Sequence, residues 1–435
     1  MTPVKVGLLG LGTVGSGTAT VLKRNAEEIA RRAGCGIIVD FVSTSKSELP
    51  AGVGLSGARI TNDAYDVVND PDISIVVELF GGTEPAKSLV LKAIENGKHV
   101  VTANKALIAE HGNEIFARAQ EKGVIVGFEA GVAGGIPVIK ALREGLSANK
   151  INSLAGIING TGNFILTEMR DKGRNFSDVL KEAQELGYAE ADPTFDVEGI
   201  DAAHKLCILS SIAFGIPLQF DKTYTEGISE ISSDDVDYAA ELGYNIKHLG
   251  IAKQTEQGVE QRVHPTLIPK KRLIANVDGV MNAVLVEGDA VGPTLHYGAG
   301  AGSEPTASAV VADIIDIARA LTSDPENRVP HLAFQADSLV DLPILSMDQV
   351  ETAFYLRLSA ADEPGVLANI TRILGDGNIS IEAIIQKEPK DDGKADIIML
   401  TKVVNEGAMN NAIEQIEALS VVTGKVARIR VESLS

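Results

Sequence analysis

Apolar runs of four to seven residues alternate along the first third of the chain with stretches of helical periodicity. Residues 4–9, 36–42, 73–79, 99–102 and 124–128 read as buried strands. A helical stretch follows the glycine turn at 10–15 and runs through Lys23, and residues 84–95 and 112–122 read as helices closed by Gly97 and Gly123. Strands that alternate with helices imply right-handed crossovers and a parallel, doubly wound sheet. Such an α/β sheet of Rossmann type gathers ligands at the carboxyl ends of its strands. Three loops fall there: 81–85, 103–105 and 129–137. Beyond residue 136 the pattern changes, and strand-like runs at 151–158, 272–277 and 281–286 mix with helices in an α+β manner. A glycine-rich loop at 298–306 opens a further helix. From about 351 the order is strand, helix, strand, strand, helix, strand, a ferredoxin-like βαββαβ unit. The predicted organisation is a dinucleotide-binding domain at 1–135, completed by a helix at 305–325, and a substrate and dimerisation domain at 136–304. A linker at 326–349 and a compact unit of its own at 350–435 follow.

The helix predicted over 200–214 carries two charges that its neighbours do not explain. It is apolar or small almost all round, so it is expected to be buried. Asp201 and Lys205 stand four apart and share a face. A carboxylate and an ammonium inside protein are costly unless paired or put to use. Upstream lies an acid-bearing loop, Gly187-Tyr188-Ala189-Glu190-Ala191-Asp192-Pro193. Together they read either as a buried structural ion pair or as a pocket for a small charged substrate. His204 reads as a satisfied core or rim histidine, and Cys207 as a small core residue.

At the N-terminus the first strand runs into Gly10-Leu11-Gly12-Thr13-Val14-Gly15 and then into a helix. The strand before and the helix after give this glycine pattern the context of a dinucleotide-binding turn. Its glycines permit the tight turn and the approach of backbone to a pyrophosphate, and free N–H groups at the helix start face the phosphates. The second strand does not end in an acid that would hold a ribose 2′-hydroxyl. Asp40 lies inside it, and Ser43-Thr44-Ser45-Lys46 follow, which favours NADP(H) over NAD(H).

Composition narrows the classes. The 435 residues carry a net charge of −20, which argues against nucleic acid and anionic membrane as partners. Two cysteines, Cys35 and Cys207, lack metal or redox spacing and fit a reducing cytoplasm. The first strand begins at Val4, leaving no room for a signal peptide, and no apolar run is long enough to span a bilayer. A cytoplasmic protein without a membrane anchor is expected.

In order and spacing, these motifs resemble homoserine dehydrogenase with a C-terminal ACT domain over nearly the whole length. The matching stretches are 10–15, Thr102-Ala103-Asn104-Lys105, Glu129 to Pro137, Ile158-Asn159-Gly160-Thr161-Gly162-Asn163, 187–193, 199–205 and 305–309. Nothing resembles the aspartate kinase fused to some members, so the monofunctional form is implied. The resemblance implies NAD(P)H-dependent reduction of L-aspartate 4-semialdehyde to L-homoserine, a step toward threonine, methionine and isoleucine. It implies Gly10, Gly12, Thr13, Val14, Gly15 and Lys105 at the cofactor, with Gly187 and Gly302 as later contacts. Glu190 and Asp201 resemble the groups that hold the substrate's amino end. Lys205 matches the proton donor, with Lys105 polarising the carbonyl or orienting the nicotinamide. A lysine lowered by burial toward neutrality suits an acid that meets negative charge on the aldehyde oxygen.

Glu129 with backbone groups of Val132, Gly134 and Ile136 resembles a structural Na+ site, the rival reading being a plain glycine-rich turn. The ACT-like tail implies an amino-acid effector, threonine foremost, near Asp362, Gly365 and Asn378. Its rival is a tail that only associates, and a homodimer or homotetramer is expected. Two further readings stand beside the first: a related dehydrogenase of another small amino aldehyde or hydroxy acid, and a catalytically dead amino-acid sensor. Lys105, Asp201 and Lys205 count against the sensor.

Overall fold

Strand β1 (Val4–Leu9) is buried at every residue except Lys5, the burial expected of a central strand covered on both faces. The computed structural model describes residues 3–45, 53, 55–321, 331, 332, 334, 339–386 and 394–434. Around β1 lie β2 (Ile37–Ser43), β3 (Arg59–Thr61), β4 (Ile75–Glu78), β5 (His99–Thr102) and β6 (Val126–Gly127). They form one parallel sheet in the order β3-β2-β1-β4-β5-β6. Helices α1 (Thr13–Arg24), α2 (Ala26–Ala33), α3 (Ala64–Asn69), α4 (Ala86–Glu95) and α5 (Lys105–Lys122) make the connections. The strand order reverses between β1 and β4, the place where such sheets bind ligands.

Helix α5 begins seven residues before the sequence pattern predicts. Its N-cap is Asn104, whose side chain accepts the Leu107 N–H at 3.1 Å. That early start makes Lys105 the first residue of the helix.

The chain forms two compact units, the first comprising 1–160, 201–221 and 280–342. Beyond the parallel sheet, the first unit holds α6 (Val138–Lys140) and an antiparallel sheet of β7 (Ile151–Ile157), β11 (Met281–Gly288) and β12 (Gly292–Ala299), with β11 in the middle. It also contains α10 (Ile200–Phe214) from Asp201 onward, buried at every residue after Ile200 as its composition requires. Helix α12 (Ser303–Ala320) packs against α1 at Gly17, where a Cβ would lie 2.5 Å from the Ser303 carbonyl oxygen. This is the helix predicted to complete the first domain; residues 322–325 of that prediction lie outside the described residues.

The second unit comprises 161–200, 222–279 and 343–435. It contains α7 (Gly160–Lys172) from Thr161 onward, α8 (Phe176–Glu185), α9 (Thr194–Val197), α11 (Ser233–Glu241), the short β8 (Tyr224–Thr225), and a long hairpin of β9 (Tyr244–Gln254) and β10 (Val259–Pro269). The tail has the predicted βαββαβ order. It comprises β13 (Glu351–Ala361), α13 (Val366–Asp376), β14 (Ile381–Gln386), β15 (Lys394–Thr401), the added β16 (Val404–Asn405), α14 (Glu406–Glu417) and β17 (Val422–Val431). Its strands lie in the order β17-β13-β15-β14, each pair antiparallel.

The tail does not stand apart from 161–279. Strand β17 pairs in parallel with β10 through Thr266 and Arg430, and through Leu267 and Val431. One sheet face packs under α13 and α14; Tyr355, Ile398, Leu400 and Ile429 share a core with Val236, Ile246 and Leu267. Arg357 donates to both carboxylate oxygens of Asp235 at 2.7 and 3.1 Å. Arg430, fully buried, bridges Glu406 of the tail and Glu226. A ferredoxin-like sheet has two faces and only one layer of its own helices, so the second face needs a partner, and here the partner is the same unit. The described part of the expected linker is likewise structured: Val259 N–H donates to the Pro343 carbonyl and Leu345 N–H to that of Val259, both at 2.8 Å. Residues 326–330, 333 and 335–338 of that linker lie outside the described residues. The strand predicted over 272–277 is instead a 3-10 turn, Leu273–Asn276, because the Asn276 amide donates to the carbonyls of Lys270 and Arg272 and closes the backbone on itself.

Candidate active site

At the end of β1 the chain turns at Gly10, whose φ of +97° only glycine adopts without strain. A Cβ on Gly15 would lie 2.3 Å from the Gly10 carbonyl oxygen, so a side chain there would push the start of α1 off the turn. Gly12 is the N-cap of α1 and offers no side chain to its first N–H groups, and a Cβ built on it meets nothing within 4 Å. Uncapped donors facing open space at a helix start are a seat for a phosphate. Ser303 donates its hydroxyl to the Thr13 carbonyl at 2.9 Å, which brings Gly302, the N-cap of α12 at φ +123°, beside Thr13 and Val14. Gly10, Gly12, Thr13, Val14, Gly15 and Gly302 therefore lie together at the end of β1.

The hydroxyls expected to favour a 2′-phosphate converge only in part. Ser43 and Thr44 are buried, Ser45 is exposed, and Lys46 lies outside the described residues. Asp40 is engaged by Arg59 at 2.6 Å and by Lys5 at 3.6 Å, which leaves it unsuited to gripping a ribose.

Lysines from two helices meet one carboxylate. Lys205 Nζ lies 2.6 Å from Asp201 Oδ2, and Lys105 Nζ lies 2.9 Å from Asp201 Oδ1. The Asn159 amide, just past β7, donates to Asp201 Oδ2 at 2.9 Å, and Lys205 also donates to the Ile158 carbonyl at 2.7 Å. Asp201 is 3% exposed. Burial alone would favour its neutral form, but the Lys205 and Lys105 ammonium groups outweigh it and hold the carboxyl well below the usual carboxylate range. Both oxygens are thus engaged by the protein. Asp201 orients two lysines here. Lys105 is the more open of the pair, with about a third of its side chain exposed.

A buried network at the ends of β4 and β5 fixes the start of α5. Glu78 accepts the Thr102 hydroxyl at 2.5 Å and the Phe80 N–H at 2.7 Å. Thr102 in turn accepts the Asn104 N–H at 2.9 Å, and the Asn104 amide donates to the Gly82 carbonyl at 2.6 Å. Burial raises the Glu78 carboxyl above its ordinary value.

The loop after β6 folds back on the 298–302 turn. Gly135 N–H donates to the Ala299 carbonyl at 2.9 Å, and a Cβ on Gly134 would lie 2.5 Å from the Gly300 carbonyl oxygen. Glu129 accepts the N–H groups of Ile139 and Lys140, each at 2.9 Å, and so caps α6. Burial, with the neighbouring Asp313 carboxylate, pushes its carboxyl up to about 7. Each oxygen retains a lone pair beyond the one its amide uses. The Ile136 carbonyl accepts one bond, from Val138 N–H at 2.8 Å, and Val132 and Gly134 are buried beside it. One carboxylate with several carbonyls is a donor set suited to a hard cation.

In the second unit, Gly187 (φ +75°) and the exposed Glu190 lie on the loop after α8. The Thr161 hydroxyl holds this loop through the Tyr188 carbonyl at 2.7 Å. In the tail, Asp362 accepts the Gln386 amide at 3.0 Å, and Gly365 is the N-cap of α13. Asn378 (φ +56°) follows the opposite end of that helix. Eleven helical residues rise about 16 Å, so the strand-to-helix turn that holds Asp362 and Gly365 does not also hold Asn378.

Sequence reasoning assigned no role to Asn159, Thr102, Asn104 or Glu78. Asn159 stood inside a quoted motif, and an amide at the end of a buried strand was the available signal. Glu78 is the only charge in the buried run 75–79. His204 and Cys207 sit as expected: His204 is 3% exposed and stacked on Phe220, and burial pushes the Cys207 thiol up to about 12.

Residues 10–129 match the model "Homoserine dehydrogenase, NAD binding domain", 137–315 match "Homoserine dehydrogenase", and 354–421 match "ACT domain". The homoserine dehydrogenase of Pseudomonas aeruginosa is 68% identical across all of both chains. A crystal structure of a homoserine dehydrogenase from Thiobacillus denitrificans is 67% identical with a TM-score of 0.96, covering 100% of this chain and 99% of that one. A hyperthermophilic archaeal homoserine dehydrogenase solved in complex with NADPH is 25% identical, with a TM-score of 0.62, covering 73% of this chain and 98% of that one. The three models match in order along the chain, the relatives match it over essentially their full length, and the chain belongs to the homoserine dehydrogenase family.

Proposed function

We propose that the protein reduces L-aspartate 4-semialdehyde to L-homoserine with NADPH as the favoured reductant. The observation that carries this reading is the buried Asp201 carboxylate held between Lys105 and Lys205. Turning an aldehyde into a primary alcohol requires a hydride on carbon and a proton on oxygen. A bound nicotinamide supplies the hydride to the carbonyl carbon. Lys205 delivers the proton to the oxygen as negative charge develops there, and Asp201 keeps its ammonium aimed. Lys105, at the open side of the cluster, polarises the carbonyl and stabilises the oxyanion before the proton arrives. Glu190, an exposed carboxylate on a loop tied down through Tyr188, is the group for the substrate's ammonium. Gly10, Gly12, Thr13, Val14, Gly15 and Gly302 seat the pyrophosphate side of the dinucleotide, with Gly187 a further contact. Glu129 with the carbonyls of Val132, Gly134 and Ile136 is the place for a structural Na+, which would tie α6 to the loop after β6.

The preference for NADPH is supported by β2, which ends in Ser43 and not in an acid, and whose one carboxylate, Asp40, lies inside the strand and is engaged by Arg59 and Lys5. Purified protein given L-aspartate 4-semialdehyde should consume NADPH with a higher kcat/KM than NADH. A higher value with NADH would reverse the cofactor assignment, and no turnover with either would remove the substrate assignment.

Threonine is proposed as an inhibitor acting through the tail, with Asp362 and Gly365 at the strand-to-helix turn and Asn378 at the far end of α13. The tail's shared core with 161–279 and the Arg430 bridge to Glu226 support this, since a change in the tail cannot be contained within it. Threonine added at millimolar concentration should lower the initial velocity. An unchanged velocity, with the full chain still associating, would leave the tail an assembly element.

A further inference from the structure

Helix α5 meets α10 at two places. Lys105, its first residue, reaches Asp201 at 2.9 Å, and Glu110 reaches His204 Nε2 at 3.1 Å. Five residues of α5 separate these contacts, about 7.5 Å of helix, and three residues of α10 separate their partners, about 4.5 Å. Two such contacts define how the charged groups of one helix end lie against the other, where one alone defines a single point. His204 is a firm anchor: it is 3% exposed, and its ring stacks on Phe220 with centroids 4.0 Å apart and planes 11° from parallel. We propose that Glu110 and His204 form a positioning pair that sets the start of α5 over α10 and so fixes Lys105 against Asp201.

The need for such a pair follows from where Lys105 stands. It opens the helix, so no preceding turn supports it, and Asn104 caps only the backbone. Its charge rides on a flexible four-carbon stem with about a third of the side chain exposed. Downstream of it, the next ion pair from α5 to α10 is Glu110 with His204. Burial foremost keeps the His204 imidazole below its ordinary pKa; Glu110 and Asp201 act against that and Lys105 with it, so the four groups share one electrostatic neighbourhood.

Glu110 can be altered without detaching the helix. Further along α5, Asn113 exchanges two hydrogen bonds with the Leu218 backbone at 2.9 and 3.0 Å. Gly112 also comes so close to Leu218 that a Cβ would lie 2.5 Å from its Cδ1. Truncating Glu110 therefore removes one of the two contacts that set α5 against α10 and leaves the packing of the helix in place.

This inference rests on the role given to Lys105, so the test separates the two. Glu110→Ala, Glu110→Gln, Lys105→Ala and the double variant Lys105→Ala/Glu110→Ala are compared for kcat, KM, NADPH affinity and thermal midpoint. Glu110→Ala should lower kcat about tenfold, as slight misplacement of a reacting group does, with NADPH affinity and midpoint near wild type. Glu110→Gln, whose amide can still hydrogen-bond His204, should recover most of that loss. In the Lys105→Ala background, Glu110→Ala should cost nothing further, because the group it positions is gone. A wild-type kcat in Glu110→Ala, an equally poor Glu110→Gln, or the same proportional loss in the Lys105→Ala background overturns the proposal. A wild-type rate in Lys105→Ala alone overturns instead the role on which it rests.

Discussion

Replacing Lys205 with alanine is expected to lower kcat by about 10³-fold, the loss typical of a missing general acid, while NADPH still binds. The ammonium lies 2.6 Å from Asp201 Oδ2 and 2.7 Å from the Ile158 carbonyl, on a helix buried at every residue after the first. No backbone of the dinucleotide turn depends on it, so cofactor affinity, read from nicotinamide fluorescence, should change little. Water is a poor substitute acid at this place, because removing the side chain leaves a small gap beside a carboxylate. Turnover within a few-fold of wild type would remove Lys205 from the proton-donor role and pass it to Lys105. Loss of NADPH binding together with turnover would point to a collapse of α10.

Asp201→Asn is expected to be the most destabilising single change in the site, by about 3–5 kcal/mol, the cost of stranding a buried charge. The amide keeps the size of the side chain and a donor–acceptor pair, but it leaves Lys205 without a counter-charge inside the protein. Activity should fall with it, since both lysines lose the group that aims them. The pH dependence follows from the direction of the shift. The folded carboxyl lies well below the ordinary range, so its stabilising contribution is complete above the unfolded pKa of about 3.9. It is lost only as pH falls through the lower folded value. The gap in urea midpoint between wild type and Asp201→Asn should therefore not narrow as pH falls from 8 to 5, and should narrow only in strong acid. A gap that closes between pH 8 and pH 5 would mean that Asp201 titrates near neutrality and is not held by the two lysines.

Much of the molecule was legible because its signals are local. The strand at 99–102 and the βαββαβ order of the tail follow from period and turn residues; the first matches in full and the second apart from the added two-residue β16. Asp201 and Lys205 were recognisable as partners because four residues on a helix bring side chains together whatever surrounds them. The start of α5 was missed by seven residues, since Asn104 acts as a cap only when Thr102, Glu78 and Gly82 hold it in place. The turn at 273–276 was read as a strand for a related reason: its apolar residues match a strand, and only the Asn276 amide returning to two carbonyls shows otherwise.

By itself, then, the sequence determined the class of fold, the dinucleotide turn and the acid–lysine pair on α10, all features whose residues are neighbours along the chain or one helical turn apart. The tertiary structure alone decided that Lys105 comes to the other oxygen of Asp201 and that Asn159 joins them. It also decided that the tail shares a core with 161–279, through contacts such as Tyr355 with Asp235 and Arg430 with Glu226 that lie more than a hundred residues apart. Periodicity shows which face of an element is apolar, not which partner covers it. That choice depends on shape and charge summed over the whole core, and it appears only when the chain has closed on itself.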